Sequence, residues 1–279
     1  MSNREVLSLH RAVRDDIQDL VTRRPLPAPD LPQVDPFLFL NHHGPQTYPP
    51  KNNGLPFGPH PHRGFETVTF ILEGSLAHHD SGSGASVVEA GGVQWMTAGS
   101  GLVHAELSPD EFKRTGGPLE ILQLWVNLPA RLKMTEPAYL PVAATKMASS
   151  EPGDGASMLT VSGIKEAPIR SRTDVMLAIV SIEPGGRADL PAPSGRNVLF
   201  YTVGGEAAID EKAIGEHTLV KLSDGDRIEV SSENGCRILF GHASPIGEPV
   251  VAHGPFVMNT EAEIAQAVRD YRAGRFGGL

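Results

Sequence analysis

The chain has 279 residues and a mass of 29.8 kDa, which allows one large domain or two domains of roughly 140 residues each. Its 24 Lys and Arg side chains against 33 Asp and Glu give a formal net charge of −9, a poor match for nucleic acid or anionic lipid. The single cysteine, Cys236, excludes an internal disulfide and a cysteine-based zinc or iron–sulfur site within one chain. Residues 1–18 lack the apolar core of a signal peptide and no apolar run is long enough to span a bilayer, so we expect a cytoplasmic protein.

The first half of the chain contains closely spaced β-strand patterns. The whole chain has 30 glycines and 24 prolines, a larger share than the roughly 12% of residues that these two types usually supply. This excess favours turns and disfavours a helical bundle. Alternating or apolar strand patterns separated by glycine turns occupy 67–72, 93–97, 102–107 and 119–128. Short strands at this spacing predict an all-β barrel or sandwich.

The second half repeats this organisation and ends in a helix. We interpret residues 131–157, rich in Pro, Ala and Ser, as a linker between an N-terminal domain, 1–130, and a C-terminal domain, 158–279. Thr260 and Glu263 form a capping-box pattern, which predicts an amphipathic helix at about 260–273 within the C-terminal domain. Strands are predicted in this half over 175–182, 198–203, 227–230 and 237–240.

Two pairs of residues in the first half have the spacing of metal ligands. In an extended strand, residues i and i+2 point to the same face, so His60 and His62 are directed together, as are His104 and Glu106. Three imidazoles and one carboxylate suit Fe(II), Mn, Ni, Cu or Zn. The alternative for a lone His-x-His pair is a solvated or hydrogen-bonded pair, and the second pair on another strand favours the metal site.

Other charged and polar residues near these pairs have simpler interpretations. His78 and His79 are adjacent and face opposite ways in a strand, so at most one joins the site, and we expect both on the surface or beside the ligands. Arg63 follows His62 and places a cation next to the predicted metal, where it either senses the charge of the site or is simply solvated.

Several longer motifs resemble the signature of the pirin family, which belongs to the cupin superfamily. The segments that carry the resemblance extend over nearly the whole chain: Gly58–Thr69 (GPHPHRGFETVT), Gly92–Gly99 (GVQWMTAG), His104–Glu106 (HAE), Leu124–Ala130 (LWVNLPA), Lys133-Met134 and His253–Thr260 (HGPFVMNT). The resemblance implies a bicupin, an all-β chain with two antiparallel barrels. It also implies one metal, usually iron, in the N-terminal barrel.

The resemblance assigns the ligands residue by residue. Carried onto this chain, they are His60, His62, His104 and Glu106, whereas Glu66 occupies the place of the general cupin glutamate and is expected outside the ligand set. The C-terminal barrel is expected to hold no metal. A shift of 131 residues, which places Gly74 on Gly205, puts Pro191 and Pro193 where His60 and His62 stand.

Two functions follow from the resemblance. The first is an Fe(II)-dependent oxygenase similar to quercetin 2,3-dioxygenases, which open a flavonol ring with O₂ and release carbon monoxide; Glu106 would serve as both ligand and base. The second is a non-enzymatic, iron-dependent redox sensor that binds a transcription factor or a metabolic enzyme. A metal-dependent isomerase or hydrolase is a third alternative, because fold does not fix the reaction.

The expected partners depend on which function holds. An oxygenase takes a small aromatic, flavonol-like substrate and O₂, and a sensor takes a protein. We expect no direct contact with nucleic acid or membrane, and a monomer.

Overall fold

The computed structural model describes residues 2–82 and 84–279; Met1 and Ser83 lie outside the described residues. Within them, the strands of the first half are β1 (Val6–Arg11), β2 (Val13–Arg14), β3 (Thr22–Leu26), β4 (Phe37–Tyr48), β5 (Phe57–His62), β6 (Phe65–Glu73), β7 (Ser75–Asp80), β8 (Gly84–Glu89), β9 (Val93–Thr97), β10 (Leu102–Leu107), β11 (Gly117–Asn127) and β12 (Ala138–Val142). Those of the second half are β13 (Ala148–Gly153), β14 (Ala156–Ser162), β15 (Met176–Ile182), β16 (Arg187–Pro191), β17 (Asn197–Gly205), β18 (Ala207–Ile209), β19 (Lys212–Ile214), β20 (Thr218–Leu222), β21 (Arg227–Ser231), β22 (Cys236–Ala243), β23 (Val251–His253) and β24 (Phe256–Met258). The helices are α1 (Asp110–Thr115) and α2 (Glu261–Arg272), with 3₁₀ turns at Ala130–Leu132 and Ala144–Lys146.

The chain forms two compact units, each assembled from separate stretches of sequence. Unit A combines Met1–Val13, Arg23–Pro36 and Lys146–Pro245, and unit B combines Arg14–Thr22, Phe37–Thr145 and Ile246–Leu279. Each unit is a two-sheet cupin barrel, so the predicted all-β bicupin fold is confirmed. Neither helix of the described residues has the length and apolar character needed to cross a bilayer.

Unit A has an apolar interior. A sheet in the order β1-β20-β17-β22-β15-β14-β13 faces a sheet in the order β16-β21-β18-β19, and apolar side chains from both sheets fill the space between them. Pro191 and Pro193 are exposed, whereas Leu190 and Ala192 are fully buried in this core. The inward-facing residues are therefore Leu190 and Ala192, each one position before the prolines that the 131-residue shift selects. Neither has a metal-binding side chain.

Unit B has a core that is apolar at one end and polar at the other. Its small sheet has the order β5-β10-β7-β8, and its larger sheet contains β12-β9-β6-β11-β4, followed in the sheet order by β3 and β2. The apolar end is a cluster of buried side chains that includes Leu55, Ile71 and Phe112. Both sheets place buried histidine, glutamate and glutamine side chains at the other end, because strand alternation directs every second residue inward.

The strand predictions are confirmed and the predicted domain boundaries differ from the units. Strands β9 and β10 have the predicted bounds, and the other predicted strands match to within two or three residues at each end. The predicted linker contains β12, which pairs with β9, and β13, which pairs with β14. Helix α2 has the predicted capping box but belongs to unit B, because Ile264 and Ala267 pack with Val103 and Phe256 in one apolar cluster.

A buried lysine ties three segments of unit B together. Lys133 is 1% exposed, and its ammonium donates hydrogen bonds to Gly64 O (2.9 Å), Asn127 Oδ1 (2.7 Å) and Val257 O (3.0 Å). Burial lowers the pKa of Lys133 to about 8, opposed by the charges of Glu248 and Glu263.

Replacement of Lys133 with Met is expected to destabilise unit B by about 3 kcal/mol, because three buried acceptors lose their donor. Urea unfolding followed by tryptophan fluorescence measures this loss, since both tryptophans, Trp95 and Trp125, lie in unit B. Lys113→Met is the control: its ammonium pairs with Asp110 on the surface, and we expect a loss below about 1 kcal/mol. Equal losses in the two variants would contradict the structural role of Lys133.

Candidate metal centre

Three histidines from two neighbouring strands converge at the polar end of unit B. His104 on β10 lies directly opposite His60 on β5 in the antiparallel register, and His62 follows two residues later on the same face as His60. One ring nitrogen from each of the three lies within 4.8 Å of the others, and the ring centroids are 4.3 to 4.9 Å apart. The structure therefore brings together the three histidines that the sequence spacing selected.

Backbone carbonyls orient two of the three rings. His60 Nδ1 donates to Gly58 O at 2.8 Å, and His62 Nδ1 contacts Pro255 O at 3.4 Å. A carbonyl only accepts, so in each ring the proton lies on Nδ1 and the lone pair on Nε2. This is the usual arrangement of a metal-binding histidine, whose second nitrogen is held by a carbonyl or carboxylate.

The third histidine shows that the site fits a metal ion. His104 is 0% exposed, and in the described part of the chain neither of its ring nitrogens has a hydrogen-bond partner. Leaving a buried polar atom unpaired is costly, so such atoms need an explanation. A cation bound by the lone pair of His104 supplies the missing partner for one of these nitrogens.

All three imidazoles are kept neutral, as a metal ligand must be. Burial lowers the pKa of His60 and lowers that of His104 well below its ordinary value. Burial lowers the pKa of His62 to about 3, and the nearby His60 imidazole, which disfavours a second protonated ring, adds to the shift. Neutral imidazole nitrogens suit borderline divalent metals such as Fe, Ni, Cu and Zn.

Glu106, the fourth predicted ligand, lies two residues beyond His104 but outside the three-histidine cluster. A register shift in the pairing of β10 with β5 separates His104 from Glu106. The Glu106 carboxylate faces a row of three polar residues, each on a different strand of the larger sheet: Gln94, Thr69 and Gln123.

This row supplies three hydrogen bonds to the carboxylate. Gln123 Nε2 donates at 2.5 Å, Thr69 Oγ1 donates at 3.3 Å, and Gln94 Nε2 donates in a short contact. Burial raises the pKa of Glu106 to about 7, and these three donors oppose the rise. The carboxyl group is thus poised to gain or lose a proton near neutral pH.

The structure places the remaining predicted residues around the cluster. Glu66 is buried outside it and accepts a hydrogen bond from Thr97 Oγ1 at 2.7 Å. His79 is exposed, whereas His78 is buried beside the site. Arg63 is 4% exposed, which excludes the solvated alternative for its side chain.

Sequence reasoning missed the partners of His78. Its Nε2 pairs with Asp80 Oδ2 at 2.8 Å, and its ring stacks on Tyr139 with centroids 3.8 Å apart and planes at 5°. The spacing of His78 and Asp80 is the same two-residue pattern that selected the ligands. Tyr139 lies in the predicted linker, where no sequence pattern indicates a residue of the site.

An aromatic group borders the cluster on another side. The Trp125 ring lies 5.5 Å from the His62 ring, 4.4 Å from the Phe65 ring and 4.8 Å from the Phe39 ring. We call Phe39, Phe65 and Trp125 the aromatic wall. Trp125 is half-buried, and its indole N–H has no hydrogen-bond partner among the described residues.

Comparisons with known proteins place this geometry in a family. The family model named Pirin matches residues 19–126, and the model of the Pirin C-terminal cupin domain matches residues 177–277. Human pirin is 35% identical over 267 residues, covering 91% of this chain and 87% of its own. A Pseudomonas aeruginosa protein, provisionally named a quercetin 2,3-dioxygenase, is 36% identical over 248 residues, with 87% of each chain covered.

A crystal structure titled as the quercetin 2,3-dioxygenase of Acinetobacter baumannii superposes on the chain with a TM-score of 0.91. It is 30% identical, and the match covers 99% of both chains. The family models together match more than half of the residues, including His60, His62, His104 and Glu106. The chain therefore belongs to the pirin family.

Proposed function

We propose that the chain is an Fe(II)-dependent dioxygenase that binds its metal through His60, His62, His104 and Glu106 and cleaves a flavonol-like substrate with O₂. The observation that carries the metal site is the buried His104, whose two nitrogens lack any partner in the described part of the protein. The likeness to the Acinetobacter baumannii structure, titled a quercetin 2,3-dioxygenase, supports the reaction class.

In this proposal the three histidines hold the metal, and Glu106 also moves a proton. A bound divalent iron supplies Lewis acidity, which lowers the pKa of a substrate hydroxyl, and one-electron chemistry with O₂. Glu106 would accept the hydroxyl proton once its carboxylate loosens from the metal, and so would act as both ligand and base. Gln94, Thr69 and Gln123 hold the carboxylate in place while it does so.

The aromatic wall gives the site a surface for a flat substrate. Aromatic rings pack favourably face to face or edge to face, and this adds about 0.5–1.5 kcal/mol to the burial of their area. The unpaired indole N–H of Trp125 adds a donor for a carbonyl or hydroxyl oxygen of the bound molecule.

The test of this function is oxygen-dependent turnover of quercetin. The protein is loaded with Fe(II) without oxygen, quercetin is added, O₂ is admitted, and flavonol absorbance and carbon monoxide are followed. We expect the absorbance to fall with one carbon monoxide released per flavonol consumed. Bound iron without turnover would overturn the dioxygenase proposal and favour the redox-sensing regulator that binds a protein partner.

Trp125→Ala is expected to raise the KM for quercetin about tenfold, which corresponds to a loss of about 1.4 kcal/mol of binding energy, with a smaller effect on kcat. Trp125→Phe keeps a ring but lacks the N–H, so it is expected to recover part of the affinity. Steady-state kinetics of the three proteins measure both parameters. A KM that stays at the wild-type value in Trp125→Ala would contradict the role of the aromatic wall.

A further inference from the structure

The residue that follows a proposed metal ligand is held by the C-terminal helix. Arg63, directly after His62, donates from Nη1 to Asp270 Oδ2 at 2.8 Å and from Nε to Ser100 O at 2.7 Å. The guanidinium also lies 4.5 Å from the centre of the Phe276 ring. Asp270 is in the last turn of α2, and both members of this ion pair are almost completely buried.

The hairpin of β23 and β24 contacts the ligand itself. Pro255 O lies 3.4 Å from His62 Nδ1 and accepts a hydrogen bond from the Arg63 backbone N–H at 3.3 Å. Val257 N–H donates to Arg63 O at 3.0 Å. One carbonyl of this hairpin therefore orients the His62 ring and also holds the chain immediately after it.

Two glycines in unit B have conformations that fit this contact. Gly64 has a φ of +88°, and a Cβ atom there would collide with Val257 O. Gly101 has a φ of +122°, and a Cβ atom there would collide with the Phe276 ring. The lack of a Cβ atom at Gly64 and Gly101 thus lets residues within 255–277 pack directly against the backbone that follows His62 and precedes His104.

The carboxylate of Asp270 is fixed from both sides. Besides Arg63, it accepts hydrogen bonds from Gln266 Nε2 at 2.7 Å and Arg275 Nη1 at 2.7 Å. Helix α2 is anchored by Ile264 and Ala267 in the apolar cluster with Val103 and Phe256. Asp270 therefore presents a rigid acceptor to Arg63.

We propose that Asp270 and Arg63 are positioning residues that set the orientation of the His62 ring, so that the C-terminal helix controls the metal affinity of the site. The proposal rests on the metal site proposed above. Groups that orient a histidine ligand typically change metal affinity 10- to 100-fold when they are removed.

The decisive measurement is the affinity of the full chain for Ni²⁺, determined by competition with a chromogenic chelator. Ni²⁺ binds nitrogen and oxygen sites more tightly than Fe²⁺. We expect Asp270→Asn to weaken Ni²⁺ binding about tenfold. The matched control is Glu263→Gln, which removes a carboxylate from the same helix; Glu263 completes the capping box with Thr260. We expect this control to lower the thermal unfolding midpoint without changing the Ni²⁺ affinity.

A double-mutant cycle identifies the route of the effect. In a His62→Ala background the remaining ligands bind Ni²⁺ more weakly, and adding Asp270→Asn is expected to cause no further loss. If Asp270→Asn fails to fold, Arg63→Lys replaces it, because lysine keeps the charge but loses the planar fork that reaches Asp270 and Ser100 together. We expect the same tenfold loss from Arg63→Lys.

Two results overturn the inference while leaving the metal site intact: wild-type Ni²⁺ affinity in Asp270→Asn, or an equal loss of affinity with and without His62. Failure of the wild-type chain to bind Ni²⁺ at all is a different result, because it removes the proposed function itself.

Discussion

Replacing His104 with leucine is expected to abolish tight metal binding while leaving the metal-free protein at least as stable as the wild type. Leucine has a similar volume and no polar atom, so it fills the site without the two unpaired nitrogens of His104. In the wild type, Ni²⁺ at 100 times its Kd is expected to add about 2.7 kcal/mol to the free energy of unfolding. Thermal unfolding with and without Ni²⁺ measures both effects.

A matched substitution separates the site from general metal binding by histidine. His79 is exposed on β7 and outside the cluster, so His79→Leu is expected to keep the full Ni²⁺-dependent stabilisation. The metal-site assignment fails if His104→Leu is stabilised by Ni²⁺ as strongly as the wild type.

Glu106 is expected to make the metal-free protein less stable as the pH rises. Its pKa of about 7 in the folded chain lies above the ordinary value of 4.5, so the folded state holds a proton that the unfolded state has released. The stability that this proton confers is complete below pH 4.5 and is lost as the pH rises through 7. The difference between these pKa values corresponds to about 3 kcal/mol.

Comparison with Glu106→Gln isolates this contribution from that of the buried histidines. Between pH 5 and pH 8, the wild type is expected to lose about 2.5 kcal/mol relative to Glu106→Gln, measured by urea unfolding and tryptophan fluorescence. Glu89→Gln, at an exposed position on β8, is the control and is expected to follow the wild type. A constant difference between wild type and Glu106→Gln over this range would contradict the raised pKa.

The same variant also tests Glu106 as the proposed fourth ligand. A carboxyl group must lose its proton to bind a metal, so the Ni²⁺ affinity of the wild type is expected to rise as the pH increases from 6 to 8. In Glu106→Gln this dependence should be weaker, because the pKa of His62 lies at about 3 and its ring is already neutral in that range.

Local patterns in the sequence predicted the strands and the histidine cluster. The two-residue period of a strand is a property of adjacent residues, so it selected His60, His62 and His104 without knowledge of the fold. The cross-strand register that places His104 opposite His60 is not visible in the sequence. This register depends on how the intervening chain aligns β5 and β10. The three histidines nevertheless meet as predicted, because those on β5 and the one on β10 face the same interior.

Features that depend on distant segments were not predictable in this way. The row of Gln94, Thr69 and Gln123 exists only because three strands align with one another. Arg63 and Asp270 are 207 positions apart, and each alone has the pattern of an ordinary surface charge. The placement of α2 in unit B likewise follows from apolar contacts that its capping box does not specify.

The assignment of Ile246–Leu279 to unit B has a consequence for synthesis of the chain. A ribosome releases the strands with the histidine cluster early, but Pro255, which orients His62, and Asp270, which holds Arg63, are made more than 150 residues after His104. The nascent polypeptide therefore lacks the groups that hold His62 and Arg63 until the whole of unit A has been translated. Any effect of Pro255 and Asp270 on metal affinity is accordingly expected in the finished chain and not in the growing one.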